Sequence, residues 1–91
     1  MDFTWDPRKN AANAAKHGIA FRDAIPVFEQ PTLQRVDDRH DYRERRIIAL
    51  GIVDGIEIVV VFTDRDQQRR IISARRASHR ERQIYHHHSK P

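Results

Sequence analysis

Residues 65–82 concentrate much of the chemistry this chain could perform. Arg65, Arg69, Arg70, Arg75, Arg76, Arg80 and Arg82 stand there against Asp66 and Glu81 alone, a local charge of +5 in a chain whose total is +4. The remainder is close to neutral. Only three of the 17 basic residues are lysines, at positions 9, 16 and 90, and the rest are arginines. A guanidinium offers a planar fork of donors that matches a phosphate or carboxylate, whereas an ammonium offers a point charge. An anionic partner follows, either nucleic acid or an acidic protein, with a merely solvated basic surface as the plain alternative. Elsewhere, Lys16, His17, Tyr42, Glu44 and Tyr85 are the side chains suited to moving a proton.

Composition removes several other chemistries. The chain has no cysteine, hence no disulfide framework, no thiolate zinc site and no thiol nucleophile, which suits a reducing cytoplasm. His86-His87-His88 would diverge around a helix and have no carboxylate cluster beside them. They read as the start of a polar tail over 86–91, and neither a metal nor a cofactor is expected. The longest apolar run, Ile56 to Phe62, contains Glu57 and is far short of a membrane span. The first residues lack the basic-then-apolar pattern of a signal peptide. With 91 residues, 38% of them hydrophobic, the chain reads as a single domain over 1–85 with little room for a deep cofactor cleft.

The elements that must position these side chains can be read in order. Asp6-Pro7 is a helix start and Gly18 a helix stop, so residues 7–17 read as a first helix. Phe21, Ala24, Ile25 and Phe28 form the apolar face of a second, with Pro26 tolerable near its start and Pro31 closing it. Residues 45–53, 57–63 and 69–75 read as strands, with Asp54-Gly55 as a hairpin turn. Leu33–Asp37 and Phe3–Trp5 add weaker ones. Ser78-x-x-Glu81 is a capping box opening a last helix, with Ala77, Ile84 and Tyr85 on its buried side. The expected fold class is α+β: an antiparallel sheet of three to four main strands, two N-terminal helices and one C-terminal helix, all on one sheet face. Strict alternation puts Arg75 with Ile71 and Ser73, and Arg70 with Ile72 and Ala74 on the other side. The two arginines then share a pocket only if a bulge or strand end intervenes.

Trp5-Asp6, Asn13-x-x-Lys16-His17-Gly18-Ile19-x-Phe21, Glu44-Arg45-Arg46 and Val60-Val61-Phe62-Thr63-x-Arg65 occur in this order, followed by Arg70-Ile71-Ile72-Ser73-Ala74-Arg75-Arg76-Ala77, Glu81-Arg82 and Tyr85. Along nearly the whole chain this pattern resembles the BrnT family, a branch of the RelE/ParE toxin superfamily. Two positions depart from it. Arg43 stands where the family commonly has glycine, and Asp66-Gln67-Gln68 replaces a glycine-containing turn.

The resemblance implies a RelE-like fold, a toxin that cleaves RNA, and neutralisation by a BrnA-like ribbon-helix-helix antitoxin that also binds operator DNA. The ribosome is a further partner the resemblance leaves open. Metal-free RNA cleavage needs a base for the 2′-hydroxyl, an acid for the leaving 5′-oxygen, and cations for the developing charge. Lys16, His17, Glu44, Arg45, Arg65 and Arg75 are the candidates for catalysis, and Arg70, Arg76 and Arg80 for gripping RNA. Each has a plainer rival. Lys16-His17-Gly18 also suits a helix C-terminus, Glu44 could simply pair with Arg46, and Phe3 and Trp5 read as core rather than as base-stacking platforms. A non-catalytic binding module and a gyrase poison of the ParE type are the competing functions.

Overall fold

The computed structural model describes residues 1–39, 41 and 43–89. Strand β1 (Asp2–Trp5) leads into helix α1 (Pro7–His17). Asp6 Oδ1 accepts the Arg8 N–H at 2.8 Å, and Gly18, at φ 72°, donates its N–H to the Ala14 carbonyl at 2.9 Å. These are the expected caps, with Pro7 in the first turn, where a missing N–H is harmless.

The expected second helix divides. α2 covers only Phe21–Ala24 and gives way to a 3-10 segment, Ile25–Glu29. Pro26 has no N–H to give, and its ring crowds the carbonyl four residues back, so the α-helical ladder ends there. The tighter turn carries Val27 onto the sheet, where Gly51 makes room for it. A Cβ at Gly51 would lie 2.6 Å from Val27 Cγ2.

Strands β2 (Leu33–Val36), β3 (Ile47–Val53), β4 (Ile56–Arg65) and β5 (Gln68–Arg76) precede helix α3 (His79–Ser89). The sheet corrects the expectation of three to four antiparallel strands. It has five, in the order β1-β5-β4-β3-β2, and β1 pairs parallel to β5. The crossover that a parallel pair requires is supplied by the intervening helices and strands. The helices also do not share one face. Phe21, Ala24 and Val27 pack on Ala49, Ile58, Val60, Phe62, Ile71 and Ala74 on one side, while Tyr85 of α3 and Ala77 meet Ile48, Leu50, Val59 and Val61 on the other. β4 is buried without a break from Ile58 to Thr63, as expected for a strand covered on both faces.

α1 contributes little apolar burial, and its one buried residue is Asn13. The Asn13 amide accepts the Ala74 N–H at 3.1 Å and donates to the Ala74 carbonyl at 2.8 Å and the Ile19 carbonyl at 2.9 Å. Because β1 pairs with β5 only as far as Ile71, Ala74 lies beyond the parallel pairing, and the Asn13 side chain takes the place of a strand there.

The stretch expected to be a polar tail from residue 86 begins as helix. α3 runs through His86, His87 and His88, and His86 Nε2 lies 2.7 Å from Glu57 Oε2. Residues 90 and 91 of that stretch lie outside the described residues.

Candidate functional site

The β4–β5 register decides which arginines meet. Thr63 pairs with Arg70, Phe62 with Ile71, Val61 with Ser73 and Val59 with Arg75, leaving Ile72 unpaired in a bulge. Residues directly opposite on neighbouring strands share a face, and the extra residue reverses the alternation. Ile71 and Ala74, expected on opposite sides, both enter the core under α2. Arg70, Ser73 and Arg75 therefore all share the α3 face with Thr63, Val61 and Val59. Arg35, opposite Ile48, lies on that face too, and the register from Thr63 to Arg65 places Arg65 there at the strand end.

Between α3 and strands β2 and β3 the same face opens into a groove of about 440 Å³. Leu33, Ile48, Leu50 and Val59 line it from the sheet and Ile84 from α3, and Arg35, Arg75 and Arg80 supply its positive charge. Ile84, expected on the buried side of the last helix, is 43% exposed.

Arg75 is held at the groove by Glu81. Its Nη1 and Nη2 donate to the two carboxylate oxygens at 2.7 and 2.9 Å. The Ser78 N–H also donates to Glu81 Oε1 at 2.8 Å, and Ser78 Oγ accepts the Glu81 N–H at 3.2 Å, completing the capping box. Hydrogen bonding to Arg75, aided by the Ser78 N–H, pushes Glu81 down to about 2. Arg75 is raised in turn, chiefly by Glu81, while the Arg39 charge acts against this rise. Arg39 is thus a further cation close to Arg75, and the buried Asp37 carboxylate pairs with it at 2.8 Å.

Other candidates lie elsewhere. His17 and Arg76 line a second hollow, of about 390 Å³, with Asp23, Asp54 and Ile58. Arg76 pairs with Ile58, which belongs to the core under α2, so this hollow opens on the opposite face from Arg75. Lys16 is exposed in the last turn of α1. Glu44 does pair with Arg46, at 3.3 Å, in the loop before β3. The Arg45 side chain is exposed, and its carbonyl accepts the Thr63 hydroxyl at 2.8 Å. Tyr42 lies outside the described residues. Tyr85 is buried in the α3-side core, and Phe3 and Trp5 pack on the other.

Not every arginine in the basic segment faces a partner. Arg69 stacks 4.1 Å over the Phe62 ring and 4.7 Å from Phe28, and binds Asp64 through two hydrogen bonds. That is a structural pin. In the sequence Glu81 has no role assigned beyond that of a helix cap, and Arg39 and Asn10 have none. Asn10 Oδ1 accepts the Phe21 N–H at 2.9 Å and joins α1 to α2. Among the described residues no three His, Asp or Glu side chains gather as a metal-ligand set, and no helix is long and apolar enough to cross a membrane.

A family model described as the ribonuclease toxin, BrnT, of type II toxin–antitoxin systems matches residues 5–81. The match defines the class, a ribonuclease toxin whose substrate is RNA and whose partner is an antitoxin. The chain belongs to the BrnT family. Its matched span runs from Trp5 to Glu81 and so includes both members of the Arg75–Glu81 pair. No curated protein matches the chain.

Proposed function

We propose that the α3 face is the catalytic face of a RelE-like, metal-independent endoribonuclease that cleaves mRNA and arrests translation, either on the ribosome or on free message. The observation that carries this reading is the bulge at Ile72, which sets Arg70 and Arg75 on one face with Arg35 and Arg65. Cleavage by the neighbouring 2′-hydroxyl requires that its proton be taken, that the 5′-oxygen receive one, and that charge gathering on the phosphorane oxygens be met by donors. Arginines serve the last need most directly. Thr63, opposite Arg70, tethers the Arg45 carbonyl, so the loop bearing Glu44 is anchored beside these arginines. In this reading Glu44 is the proton acceptor, Arg45 and Arg65 are further cations, and Arg80 grips RNA. His17 and Arg76 line the second hollow on the opposite face, and Lys16 serves the end of α1.

The aliphatic floor and arginine rim of the groove suit a partner segment carrying both apolar and acidic side chains. The antitoxin of this reading is BrnA-like. It covers the groove while its ribbon-helix-helix domain remains available to operator DNA, combining apolar burial with charge pairing beyond what rim ion pairs alone provide.

Two experiments test this. The purified protein is expected to cut naked RNA in EDTA, whereas loss of cutting on chelation, restored by one divalent ion, would overturn the metal-free mechanism. Co-expression with the product of the adjacent reading frame is expected to give a complex on size exclusion and to relieve growth arrest. Failure of both would remove the proposed partner.

A further inference from the structure

Arg75 has five N–H donors, and its hydrogen bonds among the described residues account for three of them. Nη1 and Nη2 each give one to Glu81, and Nη1 gives another to the Arg76 carbonyl at 3.3 Å. The remaining two are Nε–H and the outer proton of Nη2. They lie along one edge of the guanidinium and point the same way, the arrangement that meets two oxygens of one phosphate. Room is available, since the Arg75 side chain is 42% exposed and lines the groove. Glu81 is itself fixed at the start of α3 by both hydrogen bonds of the capping box.

From this geometry we infer that Glu81 is a positioning residue, which turns Arg75 so that its Nε–Nη2 edge receives a phosphate of the RNA backbone. The inference rests on the phosphate-binding reading of Arg75 given above. A carboxylate pair would ordinarily count as neutralising an arginine, but here it occupies one end and leaves a two-donor fork intact. It also removes rotamer freedom before RNA arrives, so less is lost on binding. With its carboxyl pushed down to about 2, Glu81 stays ionised at any ordinary assay pH and holds the guanidinium without exchanging protons.

The test is Glu81→Gln. Glutamine can still complete a capping box, but it has one acceptor oxygen and turns an amide donor toward Arg75. RNA turnover is expected to fall about tenfold or more while KM changes much less, as for a misplaced catalytic group. The pH profile should keep its shape. A variant carrying Arg75→Lys should lose little more when Glu81→Gln is added, because the second residue acts through the first. Binding is read separately with 2′-O-methyl RNA, whose blocked 2′-oxygens prevent cleavage. In ¹⁵N spectra the Arg75 Nε–H resonance, assigned by its absence from Arg75→Lys, should shift on RNA addition in the wild type and stay unshifted or broaden away in Glu81→Gln. Wild-type turnover and a wild-type Nε–H shift in Glu81→Gln would overturn the inference while leaving Arg75 in place. Wild-type turnover in Arg75→Lys and Arg75→Ala would remove the underlying reading instead. Should Glu81→Gln fail to fold, the wild-type titration decides, and an Nε–H resonance indifferent to bound RNA overturns the proposal.

Discussion

Arg70 and Arg75 point to the same side of the sheet, although strict alternation along β5 would separate them, because Ile72 has no partner on β4. The bulge gives the α3 face a row of guanidinium groups. By the same register, Arg69 and Arg76 fall on the other side, Arg69 pinned between Asp64 and two aromatic rings.

RNA affinity should therefore depend on salt through particular arginines. Each phosphate contact on single-stranded RNA contributes about −0.7 to the slope of log K against log salt. Arg70→Ala and Arg75→Ala should each flatten that slope by about this amount, whereas Arg76→Ala should leave it unchanged. Fluorescence anisotropy with 2′-O-methyl RNA at several salt concentrations measures it.

Asn13 joins α1 to the uncovered part of β5, and no other buried side chain of that helix shares the task. Asn13→Ala leaves both polar groups of Ala74 without their partner inside the protein. Urea unfolding should show a loss of about 2–4 kcal/mol, far above the typical cost of a surface substitution.

The β4–β5 turn offers the opposite opportunity. Asp66 and Gln67 both adopt left-handed backbone angles, φ 54° and 62°, in a two-residue turn that usually calls on glycine. The equivalent β3–β4 turn has Gly55 at its second position. Gln67→Gly should relieve this strain and stabilise the protein by about 0.5–1 kcal/mol, net of the added freedom of the unfolded chain. Thermal unfolding at fixed pH would show the gain as a higher Tm.

Acid sensitivity follows from Glu81. Because hydrogen bonding to Arg75 pushes its carboxyl from 4.5 down to about 2, the pair's contribution is complete above pH 4.5 and disappears as pH falls through 2. Solvent reaches the pair from the Arg75 side, which is 42% exposed, so screening reduces the effect at neutral pH to about 1 kcal/mol. Denaturation of wild type and Glu81→Gln across this range should show a stability gap at pH 7 that closes toward pH 2.

Much of this architecture was legible in the residues. Asp6, Pro7 and Gly18 delimit α1 through local capping chemistry, and Asp54-Gly55 sets its hairpin for the same reason. The Ile72 bulge was not legible, because one unpaired residue leaves no local mark, and the faces of Arg70 and Arg75 depend on it. The two-sided sheet did leave a signal. Ile58 to Phe62 is apolar without alternation, which marks a strand covered on both faces. Pro26 ends α2, although the apolar spacing of Phe21, Ala24 and Phe28 suggested one longer helix in which it was tolerable near the start. At the site, Glu44 and Arg75 stood out as types capable of the chemistry. Glu81 was hidden behind its role as a cap, because the Arg75 contact depends on how α3 leaves β5.

The central claim is that RNA is cut on the α3 face, and comparing the two faces tests it most directly. Turnover of labelled RNA would be measured in EDTA for wild type, Arg75→Ala and the double variant His17→Ala/Arg76→Ala, each verified as folded by circular dichroism. Arg75→Ala should lower the rate by about 100-fold or more, as expected for loss of a charge-stabilising donor, and the double variant should stay within about threefold of wild type. A full rate in Arg75→Ala together with a collapse in the double variant would place the chemistry on the α1 side and contradict the account.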